Sequence, residues 1–117
     1  MPYIIKGDGR REALQKGEPA LNAGELNYQI FYYVKHKGIL EIDKLIIKGF
    51  VDQFLGLQPN YQRYNDMTGC LVRCAREINR RLKIPSYILI EVMNSFDDEI
   101  ASYENKKIIS NGDVEWE

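Results

Sequence analysis

A chain of 117 residues, 44% hydrophobic and 28% charged, has the composition of an ordinary globular protein with room for one core and not for two. Its net charge of −1 excludes a global field that would draw in nucleic acid or a membrane surface, so any such attraction must come from a local patch. No apolar run approaches the roughly 20 residues that span a bilayer, and Met1-Pro2-Tyr3-Ile4-Ile5-Lys6 lacks the basic lead and long apolar stretch of a signal peptide.

Residues 1–21 read as an arm. Pro2 to Lys6 is extended and apolar, Gly7-Asp8-Gly9 makes a turn, and Asp8 can cap a short helix over Arg10–Lys16 that Gly17 closes. A first long helix starts at Asn22, with Glu25 three residues on in a capping-box arrangement, and stops at Gly38. Leu26, Ile30, Tyr33 and Val34 form one of its faces, and Tyr28, Phe31 and Tyr32 cover much of the rest. A helix apolar on most sides is either central or part of a subunit interface.

A second helix is predicted over 39–55, with Ile39, Ile42, Ile46, Ile47, Phe50, Val51 and Phe54 at helical spacing. Gly49 and the β-branched run leave a strand over part of it as the alternative. A third helix spans about 62–83, with Tyr64, Met67, Leu71, Cys74, Ile78 and Leu82 as its apolar stripe. Pro85 ends it, and Ser86 can cap a fourth that runs to Tyr103. Beyond 104 the sequence turns polar, with a turn at Asn111-Gly112; Val114 and Trp116 alternate like a short strand that could pair with Tyr3 and Ile5. The expected fold is therefore mainly α: a compact bundle of about four helices over 22–104, with an extended arm and a short tail over 105–117. The tripeptide Asn-Tyr-Gln occurs at 27–29 and 60–62, but its flanks do not repeat.

The charge divides at Pro85. Residues 61–84 hold six cations against two acids, a formal +4, whereas 86–104 hold five acids and no cation, a formal −5. Two helices that neutralise each other, with Glu77 pairing to Arg73 or Arg81 at four-residue spacing, are the default expectation. A basic face for an anionic partner is the alternative.

Catalytic chemistry finds little to stand on. Cys70 and Cys74 share a helix face, but a structural zinc site wants about four N/S ligands and His36 is the single histidine. They read as core thiols in a reduced, cytoplasmic protein. His36 lies in a Lys-His-Lys tail that suits the negative end of a helix dipole. Asp97-Asp98-Glu99 reads as a solvated face, and Gly7-Asp8-Gly9-Arg10-Arg11 lacks the strand–loop–helix frame of a phosphate loop. No metal, cofactor or catalytic residue is expected. What remains is binding, because aromatic faces stack on bases and arginine forks grip phosphates. Tyr61, Arg63, Tyr64, Arg73, Arg76 and Arg80 are the candidates, with Tyr28 and Tyr32 from the first long helix.

Several short blocks carry a likeness: Met1-Pro2-Tyr3-Ile4, the run from Leu21 to Ile30, Asn60-Tyr61-Gln62, Asn65 to Gly69, Tyr103 to Ile108, and Asn111-Gly112-Asp113-Val114. In this order they resemble a family of small proteins found mainly in phages, prophages and related mobile elements, for which no activity is established. Ile84 to Ile100 looks like extra length against that pattern. The resemblance implies a non-enzymatic accessory protein that acts by binding. The expectation is an oligomeric counter-defence protein that captures an anionic nucleotide-like ligand, with a module that blocks a host protein as the alternative. Direct nucleic-acid binding is the weakest reading at this net charge.

Overall fold

In the computed structural model, residues 9–57 and 59–111 are described, with side chains up to Lys107. The architecture is helical throughout that range: α1 (Arg10–Gln15), α2 (Ala23–Lys37), a 3-10 turn (Glu41–Asp43), α3 (Lys44–Leu55), α4 (Tyr61–Glu77), a π turn (Ile78–Leu82), α5 (Tyr87–Asn94) and α6 (Asp97–Asn111). The mainly α bundle expected from periodicity is what forms. The proposed pairing of Tyr3 and Ile5 with Val114 and Trp116, and the Asp8 cap, fall outside the described residues; Gly9 holds the N-cap position of α1 without a side-chain cap.

α2 takes the centre, packed against α1, α3 and α4. That central position is one of the two settings its apolar character suggested. Asn22 caps it, its side chain accepting from the Glu25 N–H at 2.9 Å. Glu25 departs from a capping box. Its carboxylate accepts from the Leu21 N–H at 3.0 Å and pairs with Arg10, because α1 brings that guanidinium over the first turn. Arg10 holds the Glu25 carboxyl below its ordinary value of 4.5, chiefly through that hydrogen bond. A depressed folded value gives stability that is present above the unfolded value and lost as pH falls through the folded one. Melting temperature is therefore expected to fall as pH drops below 4.5, and Arg10→Ala to flatten that fall; thermal melts across acid pH check it.

The short helix expected over 10–16 forms as α1, and the stretch read as extended, 2–6, lies outside the described residues. Leu14 and Ala20 are buried in the core, and Gln29 of α2 donates to the carbonyls of Leu14 and Glu18, so residues 9–21 are clamped to α2. Gly38 and Gly56 close α2 and α3 at positive φ, their N–H groups reaching Val34 and Asp52.

Four boundaries differ from the sequence reading. The second helix does not begin at Ile39: Asp43 accepts from the Leu40 N–H at 2.8 Å and from the Tyr33 hydroxyl at 2.7 Å, which sets a 3-10 turn before α3. That start rotates Ile42 and Ile46 out of the core, leaving Ile42 78% exposed beside exposed Leu40 and Leu45. The third helix is α only to Glu77. It widens into a π turn and stops at Lys83, whose left-handed φ of 58° precedes the restricted position before Pro85. Ser86 makes no side-chain cap. The fourth helix is two, broken at Ser95-Phe96, where the Ser95 hydroxyl donates back to the Val92 carbonyl and Phe96 is buried. α6 then continues through the expected tail to Asn111.

Of the stripe read from spacing, Tyr64, Met67, Leu71, Cys74 and Ile78 are buried and Leu82 is partly buried against the core. Asn27 is buried within α2, whereas Asn60 caps α4, so the repeated tripeptide serves unrelated positions. No helix among the described residues is long and apolar enough to cross a membrane.

Candidate functional site

The eight residues singled out from the sequence do not converge. They fall into three groups, and two of the residues, Arg63 and Tyr64, are structural.

Arg63 is a clamp. Its guanidinium donates to the Leu21 carbonyl at 3.1 Å and lies 4.8 Å from the centre of the Phe54 ring, tying α4 to the α2 entry and to α3. Tyr64 is a core residue whose hydroxyl donates to Glu99 at 2.9 Å and whose ring meets Tyr103. Burial first, then the Glu99 hydrogen bond and charge, push its phenol up to about 12. Tyr61 is exposed at the start of α4 beside a cleft of only about 120 Å³. Arg63 thus holds the α2 entry and Tyr64 holds α6.

Arg73, Arg76 and Arg80 form the second surface. Arg73 and Arg76 of α4 and Arg80 of the π turn are all exposed, and with Thr68, Gly69 and Glu77 they line a groove of about 600 Å³. The expected self-neutralisation does not occur: among the described residues no acid of 86–104 lies within ion-pair distance of them. Two of those acids are engaged elsewhere, Glu91 with Lys44 at 2.9 Å and Glu99 with Tyr64. Of the two partners expected for Glu77, Arg81 is the one it pairs with, an ion pair at 3.7 Å four residues on, and not Arg73. The reason is topological. The break at Ser95-Phe96 swings α6 toward the N-terminal half of α4, where Ile100, Tyr103 and Glu104 meet Tyr61 and Tyr64, away from the arginines.

The third surface is built on α2. Tyr28, Tyr32 and His36 follow one another at four-residue spacing and make a row of rings, with centroids 6.0 Å apart for the first pair and 4.3 Å for the second. α1 braces the row, as Gln15 donates to the Tyr28 hydroxyl at 2.8 Å and the Arg11 guanidinium lies 5.7 Å from that ring's centre. On the α4 side the π turn delivers Arg81 onto Phe31, 4.7 Å from its centroid. Together with Lys35 these groups line a half-open cavity of about 400 Å³: three cations, a row of rings, and no carboxylate among its described lining residues.

Sequence reasoning found Tyr28 and Tyr32 here and missed His36, Lys35, Arg11 and Arg81. The spacing 28, 32, 36 was a usable signal for His36. Arg81 had none, since its position depends on the π turn.

Cys70 and Cys74 are buried in the α4 stripe as free thiols. Burial pushes Cys70 up to about 12 and Cys74 well above its ordinary value. Folded protein is therefore expected to react with a thiol reagent far more slowly than urea-unfolded protein, and equal rates would refute this seating of α4. Set against protein-family models, curated proteins and solved structures, the chain matches none.

Proposed function

We propose that the protein acts by binding rather than by bond chemistry, and that its ligand is a nucleotide-like anion held against the ring row of α2. The observation that carries this reading is the pairing of Tyr28, Tyr32 and His36 with Arg11, Lys35 and Arg81 around one cavity. Rings supply faces for a base, and guanidinium and ammonium groups supply counter-charge for phosphate. The likeness to phage and prophage proteins adds a setting: an accessory protein that removes a nucleotide from use by the host, as a counter-defence protein would.

Calorimetric titration with nucleoside monophosphates tests it. Binding is expected for the unaltered chain, with a loss of about tenfold or more in Tyr32→Ala or in Arg81→Glu, since base–aromatic stacking is worth about 1–3 kcal/mol. Absence of heat at millimolar nucleotide would contradict it.

A second reading rests on a separate observation. Arg73, Arg76 and Arg80 are exposed and without an acid partner among the described residues, and no ring lines their groove. That surface suits an acidic segment of a protein partner more than a base. Reversal of all three to Glu would abolish binding of an acidic peptide while sparing nucleotide binding. A steep salt dependence with DNA would instead favour a nucleic-acid backbone.

A further inference from the structure

By starting α3 at Lys44, the 3-10 turn sends Ile47, Val51 and Phe54 into the core and leaves the opposite face bare. Ile42 and Leu45 are each 78% exposed, Ile46 is 46% exposed, and Leu40 stands open just before them. Single soluble chains seldom leave a run of large apolar side chains in the open unless something docks there. One turn further along the same face is Gly49, where an added Cβ would meet no atom within 4 Å. A glycine inside a helix weakens it, and no neighbour within the chain requires the missing side chain. The backbone of α3 is thereby left open to close approach from outside.

The charges beside this face are arranged for a copy of itself. Glu41, Lys44 and Lys48 follow one another along the flank that turns toward α5. Lys44 is engaged there by Glu91 at 2.9 Å. The Lys48 ammonium lies 5.5 Å from the centre of the Phe96 ring. Neither Glu41 nor Lys48 has an ion-pair partner among the described residues. When two antiparallel copies of a helix pack together, the same flank of each meets the other. A two-fold axis between Leu45 and Ile46 sets Ile42 of each copy over the partner's Gly49, and Leu45 on the partner's Ile46. The same register brings Glu41 within a turn of the partner's Lys48, and symmetry repeats the pair. Any apolar partner could cover the four side chains, but an acid and a base two turns apart on one flank complement this face itself.

We infer that the outer face of α3, built on Ile42, Leu45, Ile46 and Gly49, docks a second copy of this chain in antiparallel register. The contact is isologous, as in most two-fold dimers, and Glu41 and Lys48 set its orientation as flanking charges do in paired helices. None of these residues lines the ring-row cavity, so the dimer leaves that cavity open. The patch is small against the roughly 1,600 Å² of a standard interface, and the dimer is therefore expected to be reversible.

Sedimentation velocity of the full chain, from micromolar to millimolar concentration, tests the inference. Monomer is expected to give way to dimer as concentration rises. Glu41→Lys and Lys48→Glu should each weaken the dimer by about tenfold or more, because two opposite-charge contacts become two like-charge ones. An equimolar mixture of the two variants should regain it as a heterodimer, since every contact then pairs acid with base again. Gly49→Leu, which closes the approach, should also weaken the dimer, and unchanged far-ultraviolet circular dichroism shows that each variant is folded. A chain that stays monomeric throughout overturns the inference, and so does one that instead sediments with phosphatidylcholine vesicles. A dimer indifferent to all three substitutions is built on another surface, and a mixture that stays monomeric refutes the antiparallel register; either result overturns it as well.

Discussion

Replacing Leu71 with alanine is expected to destabilise the fold by about 3–5 kcal/mol, the upper part of the range for buried leucines. Leu71 has no exposed surface and sits midway along α4, the helix that packs on α2, α3 and α5 at once. Its neighbours in the stripe, Met67 and Cys74, are equally buried and are held by three different helices, so the site has little freedom to collapse around the void. Urea denaturation followed by far-ultraviolet circular dichroism reads the effect as a shift in midpoint at unchanged slope. Arg76→Ala, on the exposed side of the same helix, is the control and should stay within about 0.5 kcal/mol. A Leu71→Ala cost under ~1 kcal/mol would mean that α4 is not the hub of the core.

Asp43→Ala should have the next largest effect, about 1.5–3 kcal/mol, the range for hydrogen bonds to a charged group. One carboxylate there serves two elements, accepting from the Leu40 N–H that starts the 3-10 turn and from the Tyr33 hydroxyl of α2. Removal leaves the half-buried Tyr33 hydroxyl without its acceptor and frees the entry to α3. Asp43→Asn, which keeps one acceptor oxygen, should cost less. The same contact has a pH signature. Burial, then the Asp43 hydrogen bond and charge, raise Tyr33 from 10.0 to about 12, and Tyr64 is raised likewise beside Glu99. A phenol with a raised folded value contributes stability that is complete below 10.0 and lost as pH rises toward 12. Stability should therefore decline over that interval, and Tyr33→Phe should reduce the decline.

Much of the helical layout was legible in the sequence because it depends on local chemistry. Asn22 caps through its own side chain, Gly38 stops α2 at positive φ, and the α4 stripe follows from spacing alone. The misread boundaries depend on partners distant in sequence. Asp43 sets the start of α3 partly through Tyr33, ten residues earlier. The break at Ser95-Phe96 follows from burying Phe96 in the core, where the Lys48 ammonium lies 5.5 Å from its ring. That break also decided the charge question. Composition could say that 61–84 is basic and 86–104 acidic, but not that α6 would pass the wrong end of α4 to neutralise Arg73, Arg76 and Arg80. The candidate site was half legible for the same reason. Tyr28 and Tyr32 belong to one helix, whereas Arg11, Arg81 and the Gln29 bridge need α1 and the π turn folded around it.

The most direct test of the central claim, that α2 presents a ring row to a nucleotide-like anion, is a two-dimensional ¹H–¹⁵N titration of the assigned protein with adenosine monophosphate. The account predicts saturable shifts confined to residues 28–37, 11–17 and Arg81, with Arg73, Arg76 and Arg80 unmoved. Shifts concentrated on 73–80, or none at millimolar ligand, would contradict it.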